Sequence, residues 1–243
     1  MAMPTLQYCL LLKIMLFRQL FDRSSCTYTY LIADRFTQEA ALVDPVLEQV
    51  ERDLKLLKEL DLKLKFCLET HIHADHITGT GKLRDLTGCQ GIVPVNALAK
   101  CADRFIKDGE TIELGEIEIR GIETLGHTDS HTAYLVNRDR VLTGDALLIR
   151  GCGRTDFQNG DAATLYEAVV NKLFTLADDT LVYPAHDYHG RTVSTIGEEK
   201  QWNPRFIKRD RARFVELMSN LDLSYPRKMM EAVPANLECG KLI

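Results

Sequence analysis

Three histidines and an aspartate fall within six residues, His71-Ile72-His73-Ala74-Asp75-His76. The other four of the seven histidines stand at 127, 131, 186 and 189, so none lies outside residues 71–189. His127 sits in Gly126-His127-Thr128, and His186 in Pro184-Ala185-His186-Asp187-Tyr188-His189. In a loop or a first helical turn, alternate residues converge on one point. Neutral imidazole and carboxylate are donors for zinc, iron or manganese. A lone His-x-His is usually a hydrogen-bonded turn. Joined to a distant Gly-His-Thr, a Gly-Asp after an apolar run and an Ala-His-Asp, it points to a metal site. Asp145 is the carboxylate that fits best, because it ends the strand-like run Arg140-Val141-Leu142-Thr143-Gly144 and the glycine permits close backbone approach.

Elements must bring these groups together. Tyr28–Ala33 and Ala40–Val43 are β-branched or aromatic and read as strands. Pro45 opens a helix whose apolar residues, Val46, Val50, Leu54, Leu57 and Leu60, follow the 3.6-residue period. Lys65–Glu69 reads as a strand running into the histidine cluster, and Thr78–Leu86 as a helix. Strands follow at Gly91–Val93, Thr111–Leu114, Ile117–Ile122, Ala133–Val136, Arg140–Thr143 and Leu181–Tyr183. Asp161 caps a helix carrying Leu165, Val169 and Leu173. Val193–Lys200 and Arg209–Leu221 read as the last helices. Each histidine group follows a predicted strand, where loops on a rigid scaffold carry function. Two blocks of strands meeting near residues 110–130 suit an α/β layered domain.

Composition bounds the rest. The chain has 243 residues, 45% of them hydrophobic and 27% charged, an ordinary globular balance that needs no cross-link to build a core. A net charge of −5 argues against nucleic acid as a partner. Seven cysteines, an odd number with no Cys-x-x-Cys, argue for reduced thiols in a reducing compartment. Residues 1–14 read as an N-terminal extension, with Met15 as a second start. The uncharged run ends at Lys13, too short to span a bilayer, and neither a basic leader nor a cleavage site marks a secretory signal.

THIHADH, GHT, TGDALL and PAHD resemble the metallo-β-lactamase superfamily. That resemblance implies an αββα sandwich, two mixed sheets flanked by helices, formed by residues 15–243 as one domain with a short helical C-terminal segment. A closer likeness lies in THIHADHITGTGKL, TGDALLIRGCGRTDFQNGDAATLY, FTLADDTLVYPAHDYHGRTVSTIGEE, NPRF and AVPANLECG, which are similar to the glutathione-dependent persulfide dioxygenases. The implied enzyme is an oxidoreductase that converts glutathione persulfide, O2 and water to sulfite and glutathione. One Fe(II) would be held by His71, His127 and Asp145, the two-histidine, one-carboxylate set of non-haem oxygenases.

The resemblance assigns further roles. His73, Asp75, His76 and His186 would stand behind the iron, or hold a second ion as in the hydrolase branches. Arg154 would position substrate or support its loop, and Tyr188 would hydrogen-bond an oxygen ligand. Asp187 reads as a loop-orienting residue and Cys152 as a buried structural thiol. His131 departs from the animal branch, which has a small residue or cysteine there, and reads as a satisfied buried histidine. Residues 200–228 carry eight cations, Lys200, Arg205, Lys208, Arg209, Arg211, Arg213, Arg227 and Lys228, against Asp210, Glu216 and Asp222. Arg205 is the best placed to dock a glutathione carboxylate, although charge runs are commonly solvated faces. The family is often dimeric, so a homodimer is an expectation. A separate sulfurtransferase would supply the persulfide, since no rhodanese-like segment appears in the sequence. The address would be cytoplasmic in a bacterium and mitochondrial in a eukaryote. The competing reading is a dinuclear-zinc hydroxyacylglutathione hydrolase, which shares the histidine motif and the glutathione carrier.

Overall fold

The strand Thr27–Asp34 is buried along its whole length. Tyr28, Tyr30 and Ile32 enter one apolar cluster and Leu31 and Ala33 another. A strand covered on both faces belongs between two layers. The computed structural model describes residues 14–226 and 228–241. Its first sheet runs β1 (Met15–Asp22), β2 (Thr27–Asp34), β3 (Glu39–Val43), β4 (Lys63–Leu68), β5 (Gln90–Pro94), β6 (Arg104–Ile106). β1 to β3 pair antiparallel and β3 to β6 parallel. The second sheet contains β7 (Thr111–Leu114), β8 (Ile117–Glu123), β9 (Thr132–Val136), β10 (Arg140–Gly144), β11 (Leu181–Pro184) and β12 (Ser194–Thr195), in that spatial order. It is antiparallel except between β10 and β11. Both sheets are therefore mixed, and the chain passes from one to the other between β6 and β7.

Three apolar clusters give the layer order. Tyr30, Val43, Leu68, Ile112, Leu114 and Leu142 fill the space between the sheets. Leu31, Leu42, Val50, Leu57 and Leu83 join the first sheet to α1 (Val50–Glu59) and α2 (Thr80–Thr87). Leu165, Val169, Val182, Ile196 and Phe214 join the second sheet to α3 (Ala162–Asn171), α4 (Ile196–Trp202) and α5 (Arg211–Ser219). Full burial of such a side chain stabilises by about 1.5–3 kcal/mol. Asp161 caps α3 as expected, accepting from the Thr164 N–H at 2.7 Å.

Several expectations shift. β1 lies next to the stretch read as an extension; its apolar start, Met15 and Leu16, is buried, while Arg18 and Phe21 face outward at an edge. Ile14 is also buried, and residues 1–13 lie outside the described residues. The run from Pro45 starts as a single 3-10 turn, Leu47–Gln49, before α1. Ser194 and Thr195 form an edge strand rather than a helix start, with the Thr195 hydroxyl capping α4. A sixth helix, α6 (Met229–Leu237), follows the two read as last; Pro234 inside it hides it from a periodicity reading.

Cys101 and Cys239 form a disulfide, correcting the expectation of reduced thiols throughout. The fold brings their Cα atoms to 5.8 Å across a separation of 138 residues, which no sequence spacing announces. Cys26, Cys67, Cys89 and Cys152 are free thiols. Cys9 and Arg227 lie outside the described residues. Among the described residues no helix is long and apolar enough to cross a membrane.

Candidate metal centre

The sheets are tied together at one end. The Tyr28 N–H donates to Ala185 O at 2.7 Å and the Thr132 N–H to Thr70 O at 2.8 Å. The Tyr30 hydroxyl donates to Pro184 O at 2.6 Å, and the Tyr134 hydroxyl to Glu69 O at 2.7 Å. The loops that leave β3, β4, β8, β10 and β11 at this end carry Asp44, His71–His76, His127, Asp145 and His186.

His71, His127 and Asp145 come together, each offering one donor atom within 4.8 Å of the others. The Thr70 hydroxyl donates its proton to Asp44 at 2.9 Å, so it accepts from His71 Nδ1, also at 2.9 Å. The Arg154 carbonyl accepts from His127 Nδ1 at 2.6 Å. Both rings therefore keep Nε2 as a lone pair for a metal. His127 Nε2 lies 3.4 Å from Asp145 Oδ2. Burial, reinforced by the neighbouring histidines 73, 127 and 131, holds the His71 pKa well below its usual value, which keeps the ring neutral as a ligand must be.

His73, Asp75 and His186 form a second group with donor atoms within 4.8 Å. Behind them, His73 Nε2 faces Asp44 at 3.1 Å and Glu69 at 3.5 Å. His76 Nδ1 meets Asp75 at 2.9 Å. Burial works against a charge on His186, but the carboxylates of Asp145 and Asp75 outweigh it and push its pKa up to about 9. A third combination, Asp44, Glu69 and His73, is also compact. Asp44 accepts from the Thr70 N–H and hydroxyl and Glu69 Oε1 from the hydroxyls of Thr78 and Thr80, while Glu69 Oε2 is buried without a hydrogen-bond partner, 3.5 Å from His73 Nε2.

The first two groups fit a cation. One donor of each, Asp145 Oδ1 in the first and His73 Nδ1 in the second, is buried without a hydrogen-bond partner, and so is Nε2 of the neighbouring His76. An unpaired buried polar atom is costly, and a bound cation would satisfy these lone pairs.

His131 is fully buried and both nitrogens are engaged, as expected of a satisfied histidine. Nε2 accepts from the Asp145 N–H at 3.0 Å, and Nδ1 therefore donates to the Thr124 hydroxyl at 2.8 Å. Asp187 accepts from the backbone N–H groups of His189 and Arg191, which orients its loop. The Tyr188 ring lies parallel to His186, 6.1 Å away, and is largely exposed. Desolvation of the hydroxyl and the charges of Asp145 and Asp75 hold its pKa well above the usual phenol range. The Arg154 guanidinium pairs with Asp156, donates to Ser224 O and covers the Phe157 ring. Cys152 is half-buried rather than fully buried, 3.7 Å from Met218 Sδ, and burial pushes its thiol up to about 12 against the charge of Arg205.

In the basic segment, Lys200 pairs with Asp178, Lys228 with Glu48, and Arg211 approaches Glu167. The Arg205 N–H donates to Asn203 Oδ1 at 3.0 Å, and its charge reaches Cys152 in the loop after Asp145. Three further residues join the site, Asp44, Glu69 and Thr27, whose hydroxyl lies 3.3 Å from both Asp75 Oδ2 and His76 Nδ1. A usable signal was present: Asp44 and Glu69 are carboxylates closing apolar strands, as Asp145 does.

The sequence model of the metallo-beta-lactamase superfamily matches residues 27–186. Persulfide dioxygenase ETHE1, mitochondrial, of Mus musculus is 51% identical over 227 residues, 93% of this chain and 89% of the relative. The Homo sapiens protein of the same name gives the same identity and coverage. The crystal structure of ETHE1 from Myxococcus xanthus superposes with a TM-score of 0.92 at 52% identity, covering 93% of this chain and all of that one. The chain belongs to the metallo-beta-lactamase superfamily and, within it, to the ETHE1 persulfide dioxygenase family.

Proposed function

We propose that the chain is a glutathione persulfide dioxygenase with one Fe(II) held by His71, His127 and Asp145. The observation that carries the reading is the convergence of those three donors, with both imidazoles fixed in the Nε2-ligating tautomer, in a chain half identical to proteins named persulfide dioxygenase. Two nitrogens and one carboxylate leave positions for substrates. When bound, iron supplies the redox chemistry that joins a persulfide sulfur to O2, which closed-shell zinc lacks. The balance is one persulfide, one O2 and one water giving one glutathione, one sulfite and two protons.

The protein's own groups do the positioning. Thr70 and the Arg154 carbonyl hold the ligand imidazoles, and His131 holds the Asp145 backbone. The Tyr188 hydroxyl, kept protonated, would offer a hydrogen-bond donor to substrate from beside His186. The Arg154 side chain supports the loop through Asp156 and Ser224. Arg205 docks a carboxylate of glutathione. His73, Asp75, His76 and His186 supply charge and hydrogen bonds behind the iron. A homodimer, a separate sulfurtransferase as persulfide supplier, and a mitochondrial address in a eukaryote or a cytoplasmic one in a bacterium accompany this reading.

One observation favours a second reading. His73, Asp75 and His186 also converge, which suits a second ion and a zinc-bridged hydroxyacylglutathione hydrolase. Iron-loaded protein given glutathione persulfide in an oxygen electrode should consume O2 and release an equal amount of sulfite. Zinc-loaded protein and His127→Ala should do neither. Two zincs per active chain, thioester cleavage and no oxygen uptake would overturn the proposal.

A further inference from the structure

α6 closes over the loop that carries His73 and His76. Asn236, on that helix, is buried. Its Nδ2 donates to the carbonyls of His73 and His76, both at 2.9 Å, and its Oδ1 accepts from the Thr78 N–H at 2.8 Å. The loop between β4 and α2 has no regular ladder to satisfy its backbone, yet His73, His76 and Thr78 are buried. Buried backbone groups need partners, and one side chain serves three of them. Asparagine suits this task because its amide combines two donors with an acceptor. Aspartate of the same size would set an acceptor against two carbonyl oxygens.

The helix is anchored on both sides of Asn236. Ala232 and Ala235 pack on Ile77. The Gly81 N–H donates to Cys239 O at 2.9 Å, an approach so close that a side chain at Gly81 would meet that oxygen at 2.4 Å. The disulfide to Cys101 then ties the end of the helix to the segment after β5.

We infer that Asn236 is a positioning residue for the metal centre: its three hydrogen bonds set the backbone of residues 73–78 and so the aim of His73 and His76. The inference rests on the metal reading, not on persulfide chemistry, and its test does not require oxygen uptake. Cobalt(II)-loaded parent, Asn236→Ala and Asn236→Asp are challenged with a chelator while the visible cobalt spectrum is followed, beside thermal melts of the metal-free forms. Metal loss should accelerate several-fold in both variants, short of the about 10–100-fold that follows loss of a group bonded directly to a ligand, with an altered cobalt spectrum. In the iron enzyme kcat per bound iron should fall while KM stays within about twofold of the parent, with iron content and folded fraction measured on the same sample, because inactive protein alone also lowers apparent kcat at constant KM. Parent-like metal loss and spectrum in folded variants would overturn the inference, whatever the melting temperature. If neither variant folds, Asn236→Ser, which keeps a polar group able to make one of the three hydrogen bonds, takes their place. Faster cobalt loss in that protein supports the clamp, and unchanged loss overturns it. A protein that proves to be a zinc hydrolase would still report on Asn236 through metal loss, so the two failures are distinguishable.

Discussion

The backbone N–H of Asp145 donates to Nε2 of the fully buried His131 at 3.0 Å. A buried histidine thus holds the backbone of the residue proposed above as the carboxylate ligand. Groups behind metal ligands typically account for 10–100-fold in affinity or rate. His131→Ala should weaken metal binding and lower kcat by about that factor, with KM little changed. His131→Gln, which restores an acceptor, should recover part of both. Metal titration with parallel oxygen uptake checks this, and an alanine variant with parent-like affinity would remove His131 from the machinery.

Gly144 adopts a left-handed conformation, φ +52°, and a Cβ there would lie 2.4 Å from His131 Nε2. Strain in that region costs about 1–2 kcal/mol, and the collision adds to it. For a chain of this size each kcal/mol shifts Tm by about 2–4 °C. Gly144→Ala should therefore lower Tm by at least about 4 °C and reduce bound metal together with it. A thermal melt with metal analysis of the same sample is the measurement.

Asp53 is buried on α1, where desolvation, opposed by Arg52, pushes its carboxyl up to about 6 from 3.8. The folded protein binds this proton more tightly than the unfolded chain. Its contribution to stability is full below pH 4 and is lost as pH rises through about 6. Asp53→Asn, permanently neutral, should be more stable than the parent by about 1–3 kcal/mol at pH 8, with the gap closing toward pH 4. Urea melts of the pair across that range test the sign, and a gap that widens in acid would refute it.

Arg205 follows Asn203, whose side chain accepts from the Arg205 N–H and donates to Leu148 O and Gly151 O in the loop after Asp145. Charge-assisted hydrogen bonds to a carboxylate are worth about 1.5–3 kcal/mol. Arg205→Ala should raise KM for glutathione persulfide roughly tenfold or more by that measure and leave kcat near the parent value. An unchanged KM in steady-state oxygen uptake would dismiss it as a docking residue.

The histidine groups were legible in the sequence because a metal needs particular donors and strand ends are where they can meet. The sandwich strands from Thr27 to Pro184 were legible because apolar residues mark them, short β6 excepted. What escaped reading was set by tertiary partners. Residues 15–22 carry no strand signal of their own until their pairing with β2 buries Met15 and Leu16. The Cys101–Cys239 bond depends on a meeting of distant segments. Asp44 and Glu69 meet His73 from the ends of apolar strands, a signal the histidines overshadow, whereas Asn236 bonds backbone carbonyls that its residue type does not announce.

His71 belongs to the half of the chain that builds the first sheet, and His127 and Asp145 to the half that builds the second. An ion shared by the three is a rivet across the seam of the sandwich, and it can be driven home only when both halves have formed. Its affinity and the cohesion of the fold are then one quantity seen from two sides. Starved of its ion, the protein would be a looser object as well as an idle one.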